Sequence, residues 1–160
     1  MNDLVHPAQP KAVLVNPIAG ADFGETVAIN DVYAIVGAHA QDKVYVFEVG
    51  SGDLLFTLDN PNNDSTDMFG ISMDMSNDFA IIGAPGYDTL TGNQSGRIYV
   101  YDIKGHNPTE SLYQITNPNA YVPEDEDHFG YRVAISDGFL MASAHQEDDV
   151  GGITDTGRVY

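Results

Sequence analysis

The dipeptide Phe-Gly recurs at Phe23-Gly24, Phe69-Gly70 and Phe129-Gly130, and a pair of small residues begins 14 positions after each Phe. Those pairs are Gly37-Ala38, Gly83-Ala84 and Ser143-Ala144. A landmark held at one spacing through three occurrences marks three copies of one structural unit, so the fold must be built by repetition. The Phe-Gly pairs stand 46 and 60 residues apart, which assigns the difference to loops on a shared frame.

Each copy reads as a set of strands. After Gly70, the residues Ile71, Met73 and Met75 alternate with Ser72, Asp74 and Ser76, the two-residue period of a strand. Val27 and Ile29 hold the equivalent places in the first copy, and Tyr131, Val133 and Ile135 in the third. Turn residues follow at Asn30-Asp31, Asn77-Asp78 and Asp137-Gly138. Next come continuous apolar runs from Tyr33, Phe79 and Phe139, a pattern that predicts burial on both faces. Their closing Gly-Ala or Ser-Ala lets neighbouring sheets approach closely. A third strand spans Lys43–Phe47 and Arg97–Tyr101 and begins again at Arg158-Val159-Tyr160. A fourth ends in Asn-Pro in the runs from Lys11, Leu54 and Leu112, where the Pro stops the strand. No segment has helical periodicity. The chain is expected to be all-β.

Four antiparallel strands in units of this length fit the blades of a β-propeller. The run Phe23-Gly24-Glu25-Thr26-Val27-Ala28-Ile29, the run Ile82-Gly83-Ala84-Pro85 and the run Gly96-Arg97-Ile98-Tyr99-Val100-Tyr101 resemble the FG-GAP repeat family. The resemblance covers Ala12 to Tyr160. It implies propeller blades like those of integrin α-chains and of many bacterial secreted or surface proteins. On that reading, residues 1–17 supply the outer strand of a preceding or partner-completed blade. Residues 18–61 and 62–118 form whole blades, and 119–160 an incomplete one, so the chain holds three blades' worth. Propellers need about four to eight blades to close. Either the chain belongs to a longer propeller, or copies associate as a homo-oligomer, the first strand of one completing the last blade of another.

Composition narrows the function. Six Lys and Arg against 24 Asp and Glu give a formal net charge of -18, which repels nucleic-acid backbones. No apolar run approaches the roughly 20 residues of a membrane helix, so membrane insertion is not expected. The start, Met1 to Pro10, has neither the basic nor the apolar region of a signal peptide. With no Cys there is no disulfide framework, thiolate metal site or cysteine nucleophile. Phosphate-binding, dinucleotide-binding, zinc and nucleophile-elbow motifs are all missing, so no catalytic residue is assigned.

Two acidic loops carry the ligand candidates. Asn62, Asp64 and Asp67 precede the second Phe-Gly, and Asp125 and Asp127 precede the third. Closely spaced hard oxygens suit Ca²⁺, which takes about six to eight of them. The integrin-type calcium loop, by contrast, lies between the first and second strands, where this chain has only tight turns. The resemblance therefore implies the short-turn bacterial form of the repeat, with any calcium in other loops. His39 and His145 share one position of the repeat, and His128 directly precedes a Phe-Gly. All three are expected to be polar loop residues, and Tyr45, Tyr99 and Tyr101 to pack between blades. Rigid frame, variable acidic loops and absent catalytic signature together predict a non-catalytic binding or assembly module. Its partner would be a protein or glycan, outside the cell or on its surface. The alternatives are the accessory propeller of a larger secreted enzyme, or a structural subunit completing a ring by oligomerisation.

Overall fold

The computed structural model describes residues 12–19, 22–90, 93–119, 126–136, 138–148 and 155–160. It is all-β apart from one short 3₁₀ turn at His39–Gln41. Strands β1 (Val27–Ile29), β2 (Tyr33–Ala38), β3 (Lys43–Glu48) and β4 (Leu54–Asp59) form one antiparallel sheet in chain order. The second sheet repeats it with β5 (Ser72–Met75), β6 (Phe79–Ala84), β7 (Arg97–Asp102) and β8 (Ser111–Thr116). The third has β9 (Arg132–Ser136), β10 (Phe139–Ala144) and β11 (Arg158–Val159).

Registers coincide between copies, as one repeated unit requires. Val36 lies opposite Tyr45 and Ile82 opposite Tyr99, while Tyr160 exchanges both backbone hydrogen bonds with Ala142. The outer strand pair slips at the same place in both complete sheets, between Val46 and Phe47 and between Val100 and Tyr101. The tight β1–β2 turn is held by Asn30, whose Oδ1 accepts from the N–H groups of Val32 and Tyr33.

The sheets stack through their inner strands: β5 touches β1 on one side and β9 on the other. Between the first two sheets, Ile35, Val44, Val46 and Leu58 meet Phe69, Met75, Ile82, Tyr99 and Tyr101. Between the second and third, Ile81 and Ile98 meet Phe129, Ala142 and Ala144. Tyr99 and Tyr101 are fully buried between the first two blades, as expected, whereas buried Tyr45 packs against Phe23 and Leu14 on the first blade's outer face and not between blades. Each fully buried Ile, Leu or Phe contributes about 1.5–3 kcal/mol, so the layers between blades hold the fold together.

The recurring landmarks now have a cause. Gly70 and Gly130 sit at φ 92° and 90°, a conformation that a side chain disfavours. This aims their carbonyls at the preceding blade. Thr26 Oγ1 donates to Gly70 O at 2.6 Å, and Ser72 Oγ donates to Gly130 O at 2.6 Å. Gly37 and Gly83 lie beneath those carbonyls, and a Cβ on either would come closer than 3.0 Å to the oxygen. The small residue is a steric requirement of blade stacking.

The two ends of the stack differ from its middle. On the first blade, Ile29 is 66% exposed whereas the equivalent Met75 is buried, and Val27 is 67% exposed where Met73 is half-buried. On the third, Met141 and Val159 are 55% and 57% exposed, whereas the equivalent Ile81 and Ile98 are fully buried, and Phe139 is 80% exposed where its counterpart Phe79 is half-buried. Among the described residues, 12–16 pair with no strand of this chain. Instead Leu14 packs with Phe23 against Val36, Ala38, Tyr45 and Phe47, covering part of the first blade's face.

Candidate functional site

The residues two to four positions after each Phe of the repeat converge on one opening. Glu25-Thr26-Val27, Ile71-Ser72-Met73 and Tyr131-Arg132-Val133 together line a cavity of about 500 Å³. Equivalent positions meet in this way only if the sheets turn about a common axis. The third blade breaks the pattern there: Arg132 stands where Thr26 and Ser72 donate hydroxyls, and Ser143 where Gly37 and Gly83 leave room. The Arg132 N–H donates to Ser143 Oγ at 3.0 Å within its own sheet.

Of the calcium candidates, the structure brings Asn62 and Asp67 together. Asp67 is buried, and its Oδ2 accepts from Asn60 Nδ2 and Asn62 Nδ2, each at 3.0 Å. Asn60 Nδ2 also donates to the Asp64 carbonyl at 3.0 Å. Asp64 is exposed, and its Oδ1 accepts from the Thr66 N–H and hydroxyl. Those two bonds hold its carboxyl below the usual range. Burial pushes Asp67 up instead, against the pull of the two amides. Asp42 is raised as well, by burial first and then by the charges of Asp67 and Asp64. The three carboxylates therefore feel one another. The third blade repeats the clamp, with Asn117 Nδ2 donating to Asp127 Oδ2 at 2.6 Å. Asp125 lies outside the described residues. A cation in the first of these loops would compete with two amides for Asp67, leaving Asp64 and Asn62 as its freer ligands.

Buried Glu147 organises the third blade. Its Oε1 accepts from Asn119 Nδ2 at 2.8 Å and Tyr160 OH at 2.6 Å, and lies 2.8 Å from Arg158 Nη1. In the first blade Tyr45 OH donates in the same manner to Gln41 Oε1 at 2.7 Å.

A further cluster flanks the first Phe-Gly. Ligand atoms of Asp22, Glu25 and His39 all lie within 4.8 Å of one another. Among the described residues this group has the spacing of metal ligands. In the third blade the same positions hold His128, Tyr131 and His145, whose rings pack with centroids 5.5 Å (His128–His145) and 4.1 Å (Tyr131–His145) apart. Burial, then the charges of His128 and Arg132, hold His145 below the usual imidazole range. His39, a polar loop residue as expected, lies beside Glu25, which the sequence places on the opposite side of a hairpin.

Comparison with known proteins agrees with this geometry. Residues 60–101 match the FG-GAP repeat. No curated protein sequence matches the chain. Among solved structures, the chain is similar to the computationally designed Ika8 protein, with a TM-score of 0.51 and 16% sequence identity. That match covers 84% of this chain and 31% of the other, so the chain spans about a third of that structure's length. At this identity the likeness speaks for the fold alone. A repeat match over the second blade, on three superimposable registers, makes this chain an all-β array that carries the FG-GAP repeat.

Proposed function

We propose that the chain is a non-catalytic binding and assembly module. Its acidic loops engage a protein or glycan partner outside the cell or on its surface. Its two end faces are covered by further blades of the same repeat. The observation that carries the reading is the pair of uncovered apolar faces, Val27 and Ile29 at one end and Phe139, Met141 and Val159 at the other. Inside the array the equivalents of Ile29, Met141 and Val159 are buried by the next blade, which supports a cover of like chemistry. Burying Phe139 alone would contribute about 2 kcal/mol. Light scattering on the chain tests the assembly part. Self-association that Phe139→Glu abolishes, with the fold retained, supports it. A monomer at every concentration, indifferent to that substitution, refutes it.

Calcium in the loop of Asn62, Asp64 and Asp67 is a second element of the proposal. It is favoured by the mutual repulsion that helps to raise Asp42 beside Asp64 and Asp67. A calorimetric titration of metal-stripped protein should show heat that Asp64→Asn removes. A flat titration ends the idea.

A further inference from the structure

At the first Phe-Gly, the Asp22, Glu25 and His39 side chains surround an open pocket together with Phe23 and Gly24. Three features separate this group from an ordinary surface cluster. The ligand set is mixed, one imidazole nitrogen with two carboxylates, and all its ligand atoms already lie within 4.8 Å of one another. His39 Nδ1 is shut off from solvent and makes no hydrogen bond, although Glu25 Oε2 is only 2.7 Å away. The two atoms are therefore held at ion-pair distance without a hydrogen bond between them. A cation between this nitrogen and the carboxylate would be ligated by both. Finally, the fold does not call for these residues. The second blade places Met68, Ile71 and Pro85 at the same positions, and Met68 likewise takes a positive φ.

The geometry points to a divalent transition-metal site built from Asp22, Glu25 and His39. Around a tetrahedral zinc ion with N and O bonds near 2.0–2.2 Å, ligand atoms stand about 3.3 Å apart. The exposed Asp22 and Glu25 side chains can close the remaining distance by rotating. Imidazole nitrogen beside carboxylate oxygen selects first-row ions such as Zn²⁺ and Co²⁺ over Ca²⁺, which prefers an all-oxygen shell. Three protein ligands leave further positions to water or to a group from a partner. The site is independent of the proposed loop binding and of any calcium at Asp64.

The test is a calorimetric titration of the metal-stripped chain with ZnCl₂, in buffer holding millimolar CaCl₂. One site is expected, weakened about tenfold or more by each of Asp22→Asn, Glu25→Gln and His39→Gln. His145→Gln should leave it unchanged. Long-range ¹H–¹⁵N spectra of the unsubstituted chain provide a readout that needs no variant. The first equivalent of Zn²⁺ should move the imidazole nitrogens of His39 before those of the other four histidines. Absence of Zn²⁺ uptake, a His39→Gln isotherm matching the wild type, loss of binding to calcium, or another imidazole moving first would each overturn the site.

Discussion

Substituting Gly83 by Ala puts the blade-stacking argument under the greatest strain. A Cβ on Gly83 would come closer than 3.0 Å to both Gly130 O and Ser72 Oγ, and would sit 3.1 Å from the Gly130 carbonyl carbon. Two of these atoms are backbone, so the strain cannot be relieved by turning a flexible side chain. Overpacking of this kind typically costs 1–3 kcal/mol. The methyl also displaces the hydroxyl that donates to Gly130 O at 2.6 Å, a bond worth about 1 kcal/mol net. Together the loss is about 3 kcal/mol. At about 2–4 °C per kcal/mol for a domain of this size, the melting temperature should fall by about 6–12 °C. Gly50→Ala is the matched control, since nothing lies within 4 Å of its added Cβ and its backbone needs no left-handed conformation. It should be neutral or slightly stabilising, by less than about 1 kcal/mol. Thermal melts followed by circular dichroism compare the two. If Gly83→Ala melts within about 2 °C of the control, the close approach of blades is wrong.

Two further perturbations address the buried polar groups. Asn60→Ala removes the amide that donates to Asp67 Oδ2 and to the Asp64 carbonyl, leaving a buried carboxylate short of a partner. Urea unfolding should show a loss of about 1–3 kcal/mol, and a change inside error would mean the clamp is not formed. Stability should also depend on pH through Asp42 and Asp67, whose carboxyls are raised chiefly by burial. The folded state then binds protons that the unfolded chain has released, so stability falls as pH rises from the ordinary Asp range through the raised values. Acidifying from neutrality toward the ordinary Asp range should therefore raise the melting temperature, and Asp42→Asn should flatten that rise. Parallel profiles for wild type and variant would contradict the assignment. The comparison also removes the general effect of a net charge of -18, which both proteins share to within one charge.

The fold was legible in the sequence because blade stacking forces particular residues at particular places. Gly37 and Gly83 must lack a side chain, and Gly70 and Gly130 must turn their carbonyls backwards, so the spacing survives while loops change. Burial on both faces was read correctly for β6, which lies between two blades, and for β2, whose outer face Leu14 and Phe23 cover, and incorrectly for β10, whose outer face has no such cover. Residues 12–16 carry a strand pattern whose partner, a preceding blade or another copy, the pattern itself does not supply.

The candidate sites were less legible, because spatial convergence leaves no mark on local composition. Asp67 and Asp127 read as calcium ligands from their acidic surroundings. In the fold, each is tied by the Asn of the preceding Asn-Pro. The signal was present as a repeated Asn-Pro followed by an Asp two residues before Phe-Gly. Asp22, Glu25 and His39 were likewise at repeat positions, but only their closeness in space shows them to be one group.

The claim beneath all of this is that three like sheets stack face to face about a common axis. It is measured most directly by proton NOEs between the stacking glycines. A Cβ on Gly70 would sit 3.9 Å from Gly37 Cα, and one on Gly130 would sit 3.4 Å from Gly83 Cα. Two matching sets of α-proton cross-peaks, Gly37 to Gly70 and Gly83 to Gly130, are predicted. Their absence, or a cross-peak joining Gly37 directly to Gly130, would contradict the account.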